Sequence, residues 1–298
     1  MRSYPWQKNP ALVLLVLTIL ALASPASLAL AQSGGPSAGN WQLAETYAPV
    51  LYFHPDELYR PQPVDVLVET ARLRQARRGW FDVNVSLDVS VPDLADYRDG
   101  NYFLDAWYGD GGSSDYKNYT AHQAYYEEIL SPAAGGPPVT TYAHVVRDED
   151  PHHITIQYWL FYYYNDWFNK HEGDWEMVEV VLTADGDPEW LVVSQHHGGG
   201  RRPWSAAQVE EGTHPAVYVA LGSHANYFWG DETYPNGTSV GNARLEIMDR
   251  TGTSGKVIPD VILIPDREQA TADPARWRGF EWLSFRGHWG QTAPQKDF

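Results

Sequence analysis

The segment His171-Glu172-Gly173-Asp174-Trp175-Glu176 concentrates groups able to do chemistry. It opens a strand-like run, and side chains alternate along a strand. Asp174 and Glu176 therefore project from one face and Trp175 from the other, with the two carboxylate-bearing Cα atoms about 6.5–7 Å apart. Two carboxylates so close repel one another and need a proton, a basic partner or a cation. His171, delivered by the preceding loop, would complete a set of one imidazole and two carboxylates, and Asn165 or Asp166 would add an oxygen. Such a set suits a divalent cation, and its oxygen content favours Mg²⁺ or Ca²⁺. Two further strand ends carry histidines, Gln195-His196-His197 and Gly222-Ser223-His224-Ala225-Asn226. If these ends converge they make a polar pocket at one rim of the fold, so the expected metal ligands are His171, Asp174, Glu176, Asp166, His196 and His224. The plain alternative is a pair of solvated strand carboxylates beside loop histidines.

Strands must do the positioning. Over 154–163, Ile154, Ile156, Tyr158, Leu160 and Tyr162 alternate with Thr155, Gln157, Trp159, Phe161 and Tyr163, which predicts one long, very aromatic strand. A loop over 165–173, a strand over 174–183, a turn over 184–188 and a strand over 189–197 complete an antiparallel meander. Further strands are expected over 79–92, 215–223 and 256–265, with loops over 109–115, 133–138 and 198–203. No repeat of fixed period and no long amphipathic helix is evident. The expected fold is mainly β, a single antiparallel β-sandwich with long loops and few short helices.

The chain has 298 residues, a formal net charge of −17 and no cysteine. That charge repels phosphate backbones, so nucleic acid is not an expected partner. Without cysteine there are no disulfides, thiol nucleophiles or thiolate metal sites. Arg2 and Lys8 precede an apolar run over 11–23, Pro25 breaks it, and Ala29-Leu30-Ala31 offers a small-x-small cleavage site. The expected organisation is a signal peptide over 1–31, a flexible linker over 32–40 and one domain over 41–298, with a secreted or extracytoplasmic product. There is no G-x-S-x-G, H-E-x-x-H or phosphate-cradling glycine motif. The Arg201-Arg202 pair beside Trp204 could clamp an anion.

Five separated motifs occur in order: Tyr47-Ala-Pro-Val-Leu-Tyr-Phe-His-Pro-Asp-Glu57, the His171–Glu176 segment, Ser194-Gln-His-His-Gly198, Tyr218-Val-Ala-Leu-Gly-Ser-His-Ala-Asn226 and Phe285-Arg-Gly-His-Trp-Gly290. Together they resemble the vacuolar protein sorting-associated protein 62 family, whose name records a sorting phenotype and supplies no chemistry. The His171-x-x-Asp174-x-Glu176 core also resembles the G-H-R-H-D-W-E heptapeptide of the necrosis-inducing cytolysins, secreted β-sandwiches that bind a divalent cation and target sphingolipid head groups. That second resemblance implies a metal-ligand role for His171, Asp174 and Glu176, although Glu172-Gly173 replaces the motif's Arg-His. The leading functional expectation is a cation-binding, lectin-like module that takes a glycan or lipid head group, at a membrane surface or free, without catalysis. A metal-assisted hydrolase of a phosphoester or glycoside, with Glu172, His196 or His224 as base, is the first alternative. A structural exoprotein without metal is the second. Oligomeric state is not legible.

Overall fold

The computed structural model describes residues 38–76, 83–106, 119–147, 153–240, 243–266 and 274–290. The expected signal peptide over 1–31 and the loop over 109–115 lie outside them. In chain order the elements are α1 (Ala38–Thr46), β1 (Val50–Phe53), α2 (Asp65–Val68), β2 (Ala71–Gln75), β3 (Val83–Ser86), β4 (Tyr102–Ala106), α3 (Tyr119–Tyr125), β5 (Thr140–Arg147), β6 (His153–Asn165), β7 (His171–Thr183) and β8 (Pro188–Gln195). There follow β9 (Gly198–Pro203), β10 (Val209–Glu210), β11 (His214–Val219), β12 (Asn226–Tyr227), β13 (Thr233–Val240), β14 (Ala243–Arg250), β15 (Ser254–Val257) and β16 (Asp260–Leu263).

The fold is mainly β and sandwich-like. A six-stranded sheet runs β16-β5-β6-β7-β8-β9, and a five-stranded sheet runs β10-β11-β1-β15 with β12 on β11. Pairing is mostly antiparallel, but β1 lies parallel to β11 and β16 parallel to β5. One apolar core takes Leu51, Phe53, Val217 and Val219 from the smaller sheet and Ile156, Tyr158, Leu160, Val178 and Val180 from the larger. Alternation in β6 follows from this packing: Ile156 and Tyr158 are buried while Gln157 and Trp159 are partly exposed. From Leu160 onward the strand is buried continuously, because the C-terminal segment covers Phe161 and α3 covers Tyr163 on its second face. There Trp175 packs against Phe161, Tyr142, Trp282 and Trp289 at ring-centroid distances of 4.9–6.1 Å.

The β6-β7-β8 meander lies where the sequence placed it, with β7 starting three residues earlier, at His171. Four expectations need correction. The linker over 32–40 ends sooner, since α1 begins at Ala38. The strand over 79–92 reduces, within the described residues, to β3, beyond which a 3₁₀ turn forms over Pro92–Asp96; the alternation of apolar residues does not mark one face, as Val85 and Leu87 are exposed while Val89 and Val91 are buried. The loop over 198–203 is the edge strand β9, paired with β8 from Trp190↔Pro203 to Gln195↔Gly198. The strand over 256–265 is divided between β15 and β16, which join different sheets.

Candidate functional site

Asp174 and Glu176 do share one face of β7, opposite Trp175. The register pairs Asp174 with Tyr162 and Glu176 with Leu160 on β6. What faces them is the turn after β11. Gly222 (φ +74°) and His224 (φ +58°) are left-handed there, and Ala220 N–H donates to Ala225 O and His224 N–H to Ala220 O. A non-glycine residue stays in that conformation when its surroundings over-determine it. The turn drives the His224 ring into the interior, where it stacks flat on Tyr162 at 3.8 Å.

His224 Nδ1–H donates to Asp174 Oδ2 at 2.9 Å, and its Nε2 faces Glu57 Oε1 at 3.7 Å. Glu57 is buried and accepts from Tyr59 N–H (2.8 Å) and Gly222 N–H (2.6 Å). Asp174 also accepts from Asn165 Nδ2–H at 2.8 Å. Burial alone would deprotonate His224, but the bonds and charges of Asp174 and Glu57 outweigh it and lift its pKa to about 9. Burial likewise opposes ionisation of Asp174, and His224, His171 and Asn165 overcome it, holding the carboxyl at about 2. Glu57 behaves similarly: burial is outweighed by His224 and the two backbone N–H groups, so its pKa falls. Glu176 goes the other way. Burial, with the charge of Asp174 beside it, pushes its pKa well up, and it is bonded to the Ser194 hydroxyl.

A second knot adjoins the first. Asp249 on β14 is fully buried and accepts from Ser223 Oγ (2.7 Å), Tyr227 OH (2.7 Å) and His196 Nε2–H (2.5 Å). His196 is also left-handed (φ +51°), and its ring lies against Trp167 at 4.7 Å. Asp166 is exposed and ion-paired with Lys170. His171 donates from Nδ1 to Glu172 O at 3.2 Å.

The three histidine-bearing strand ends thus converge. Asp174, Glu176 and His224 come together, His196 joins through Asp249, and Asp166 stands apart at the surface. Among the described residues no three His, Asp or Glu side chains are arranged to hold a metal ion. As placed, His224 bonds to Asp174 and His196 to Asp249, while Glu176 bonds to Ser194, Asp166 to Lys170 and His171 to a backbone carbonyl. Sequence reasoning missed Glu57 and Asp249. Glu57 closes the first of the five motifs, a signal that was available; Asp249, in Ala243–Arg250, carries none.

Above the network lies a cleft of about 470 Å³. Asp56, Glu57 and Tyr59 line one side, Asp166, Trp167 and Phe168 another, and Gly222, Met248 and Arg250 a third, with the apolar Leu58, Leu221 and Ile247 between them. Its walls are the loops that His224 and Asp249 tie down.

The family model of vacuolar protein sorting-associated protein 62 matches residues 36–292, which takes in every described residue. The chain belongs to that family. No curated protein matches this family member. Among solved structures it is similar to NLPPya in complex with mannosamine, with 15% identity, a TM-score of 0.41 and 86% of each chain covered. It is also similar to Necrosis and Ethylene inducing Protein 2 from the causal agent of cocoa's Witches Broom disease, with 10% identity, a TM-score of 0.39 and 86% of each chain covered. A non-toxic protein, HaNLP3, follows with 13% identity, a TM-score of 0.35, and 78% and 80% covered.

Proposed function

We propose that this protein is an exported, non-enzymatic binding module whose cleft takes a hydroxyl-rich head group, of a glycan or of a glycosylated lipid. We further propose that the His224 imidazolium, in place of the divalent cation suggested by the sequence, balances the carboxylates beneath that cleft. The cleft's lining carries the reading. It sets aromatic rings (Tyr59, Trp167, Phe168) beside carboxylates (Asp56, Asp166) and one guanidinium (Arg250) in a volume suited to a small ligand. Carboxylates accept hydrogen bonds from hydroxyls, and aromatic faces cover the C–H side of a ring.

A hydrolase is the weaker reading because two of its candidate bases are unavailable to a ligand. Glu172 and His224 are fully buried, and each faces a partner inside the fold. The test is binding of the purified protein to immobilised glycans and glycolipid vesicles, repeated with Asp166→Ala. Saturable binding weakened by the substitution supports the reading, and turnover of any bound glycan overturns its non-enzymatic part. A parallel thermal-unfolding series with chelator, Mg²⁺ and Ca²⁺ addresses the cation. A native-state ligand must raise the midpoint with its concentration. We expect no shift, and a shift abolished by Asp174→Asn would restore the metal site.

A further inference from the structure

Trp167 is held more firmly than its position in a surface loop requires. Its backbone N–H donates to Asn165 Oδ1 at 3.0 Å. Gly222 lies so close that a Cβ there would approach the Trp167 nitrogen to 3.1 Å. Its ring is covered by His196, 4.7 Å away at 31°, and His196 is itself fixed by the buried Asp249. Each holder is part of a buried polar knot, Asn165 through Asp174 and His196 through Asp249. The backbone of Trp167 is thus fixed by Asn165 and its indole is covered by His196, each holder anchored in turn by a buried carboxylate, and the residue borders an open cleft.

Holding Asp249 buried with three donors, and His196 left-handed, is costly if the sole result is a loop conformation. The cost makes sense if the orientation of the indole matters. We infer that Trp167 is the stacking platform of the cleft for the apolar face of an uncharged pyranose or cyclitol ring, with Asp249 and His196 as its buttress. This rests on the head-group reading of the cleft. It goes further by naming the platform, its positioning residues and the class of ring. A rigid aromatic loses little entropy when a flat ring settles on it. Asp56 and Asp166 at the rim accept from ring hydroxyls; with Asp166 paired to Lys170, the carboxylates of Asp56 and Glu57 stand against Arg250 in the lining and disfavour a phosphate or carboxylate substituent. Neutral rings are therefore favoured over anionic ones.

The experiment uses protein labelled with 5-fluorotryptophan, the Trp167 ¹⁹F resonance being assigned with Trp167→Phe. The probes are methyl glucoside, methyl mannoside, methyl galactoside and myo-inositol, with glucose 6-phosphate and N-acetylneuraminic acid as anionic counterparts, all at millimolar concentration. Saturation transfer from protein to probe reports binding independently of Trp167. We expect at least one neutral ring to receive transfer and to shift the Trp167 resonance, and the anionic rings to do neither. Trp167→Ala should weaken binding about tenfold and Trp167→Phe less. His196→Ala should move the Trp167 resonance without any probe and weaken binding, while His196→Gln, which can still donate to Asp249, should restore part of both. Transfer that is lost in Asp166→Ala but leaves Trp167 silent overturns the platform and leaves the cleft reading standing. Transfer to no probe overturns both. A Trp167 resonance indifferent to His196→Ala removes the buttress.

Discussion

At the scale of single residues the molecule turns on one imidazole. His224 connects β7 through Asp174, the β1 loop through Glu57 and β6 through Tyr162. Replacing it with alanine leaves two buried carboxylates facing each other without a positive charge, which costs about 3–5 kcal/mol when one partner of a buried pair is removed. Urea unfolding should show that loss, and a change below about 1 kcal/mol would mean the ring is uncharged. The pH profile gives an independent check. Asp174, held at about 2 against the usual 3.8, contributes stability that is present above 3.8 and disappears as pH falls through 2. His224, raised to about 9 from 6.5, contributes stability that is complete below 6.5 and disappears as pH rises through 9. Glu176, also raised, contributes stability that is complete below 4.5 and declines as pH rises above it, because its bound proton favours the folded state. Stability should therefore peak near pH 4.5, above which Asp174 and Glu57 contribute fully and Glu176 begins to lose its contribution, and fall toward pH 9, and His224→Gln should flatten the alkaline limb. These partnerships were half legible in the sequence. Local alternation placed Asp174 and Glu176 on one face, but Glu57 and Asp249 reach them from 117 and 73–75 positions away in the chain, and spacing along one strand says nothing about what folds over it.

At the scale of elements, patterning was readable where a strand has two chemically different faces. β6, β7 and β8 alternate because one side meets the core, so these strands and their order as a meander were within reach of the sequence. β9, Gly198–Pro203, has no apolar alternation; it is an edge strand whose identity comes from backbone pairing with β8. Likewise the strand expected over 256–265 takes in the end of Ser254–Val257 and all of Asp260–Leu263, and only tertiary pairing separates the two. The C-terminal segment is a covering element that periodicity does not reveal. Its Trp282 and Trp289 close over Trp175, and Leu104 N–H donates to His288 O while His288 N–H donates to Tyr102 O, tying β4 to the same tail. Gly173 makes that closure possible. It is left-handed (φ +57°), and a Cβ would run into the Trp289 carbonyl. Gly173→Ala combines backbone strain of about 1–3 kcal/mol with that collision. The expected outcome is a protein destabilised by more than about 2 kcal/mol, with Trp175 and Trp289 fluorescence reporting looser packing. If Gly173→Ala unfolds at the wild-type denaturant concentration, the tail does not pack on β7 as described.

At the scale of the whole molecule, charge decides which surfaces the protein can approach. A formal −17 sets up a repulsive field toward anionic phosphatidylserine vesicles, and salt screens that field over about 8 Å at physiological ionic strength. Two basic residues stand against aromatic rings, Arg201 over Trp190 at 4.7 Å and Arg202 beside Phe228 and Trp229 at 5.0 and 4.8 Å; they keep their charge, which is small against the net −17. Apolar contact at the cleft mouth remains, with Phe168 57% and Met248 41% exposed. Among the described residues no helix is long and apolar enough to cross a membrane. These features predict an inverted salt response. Co-sedimentation with phosphatidylserine vesicles should be weakest at low salt and rise as salt is added, because screening removes repulsion. Neutral glycolipid vesicles should show little salt dependence, because hydrogen bonds and ring stacking in the cleft carry that binding. A protein that binds phosphatidylserine tightly at low salt and is released by salt would instead be acting through a basic patch, and the cleft would then be the wrong surface to connect with the membrane.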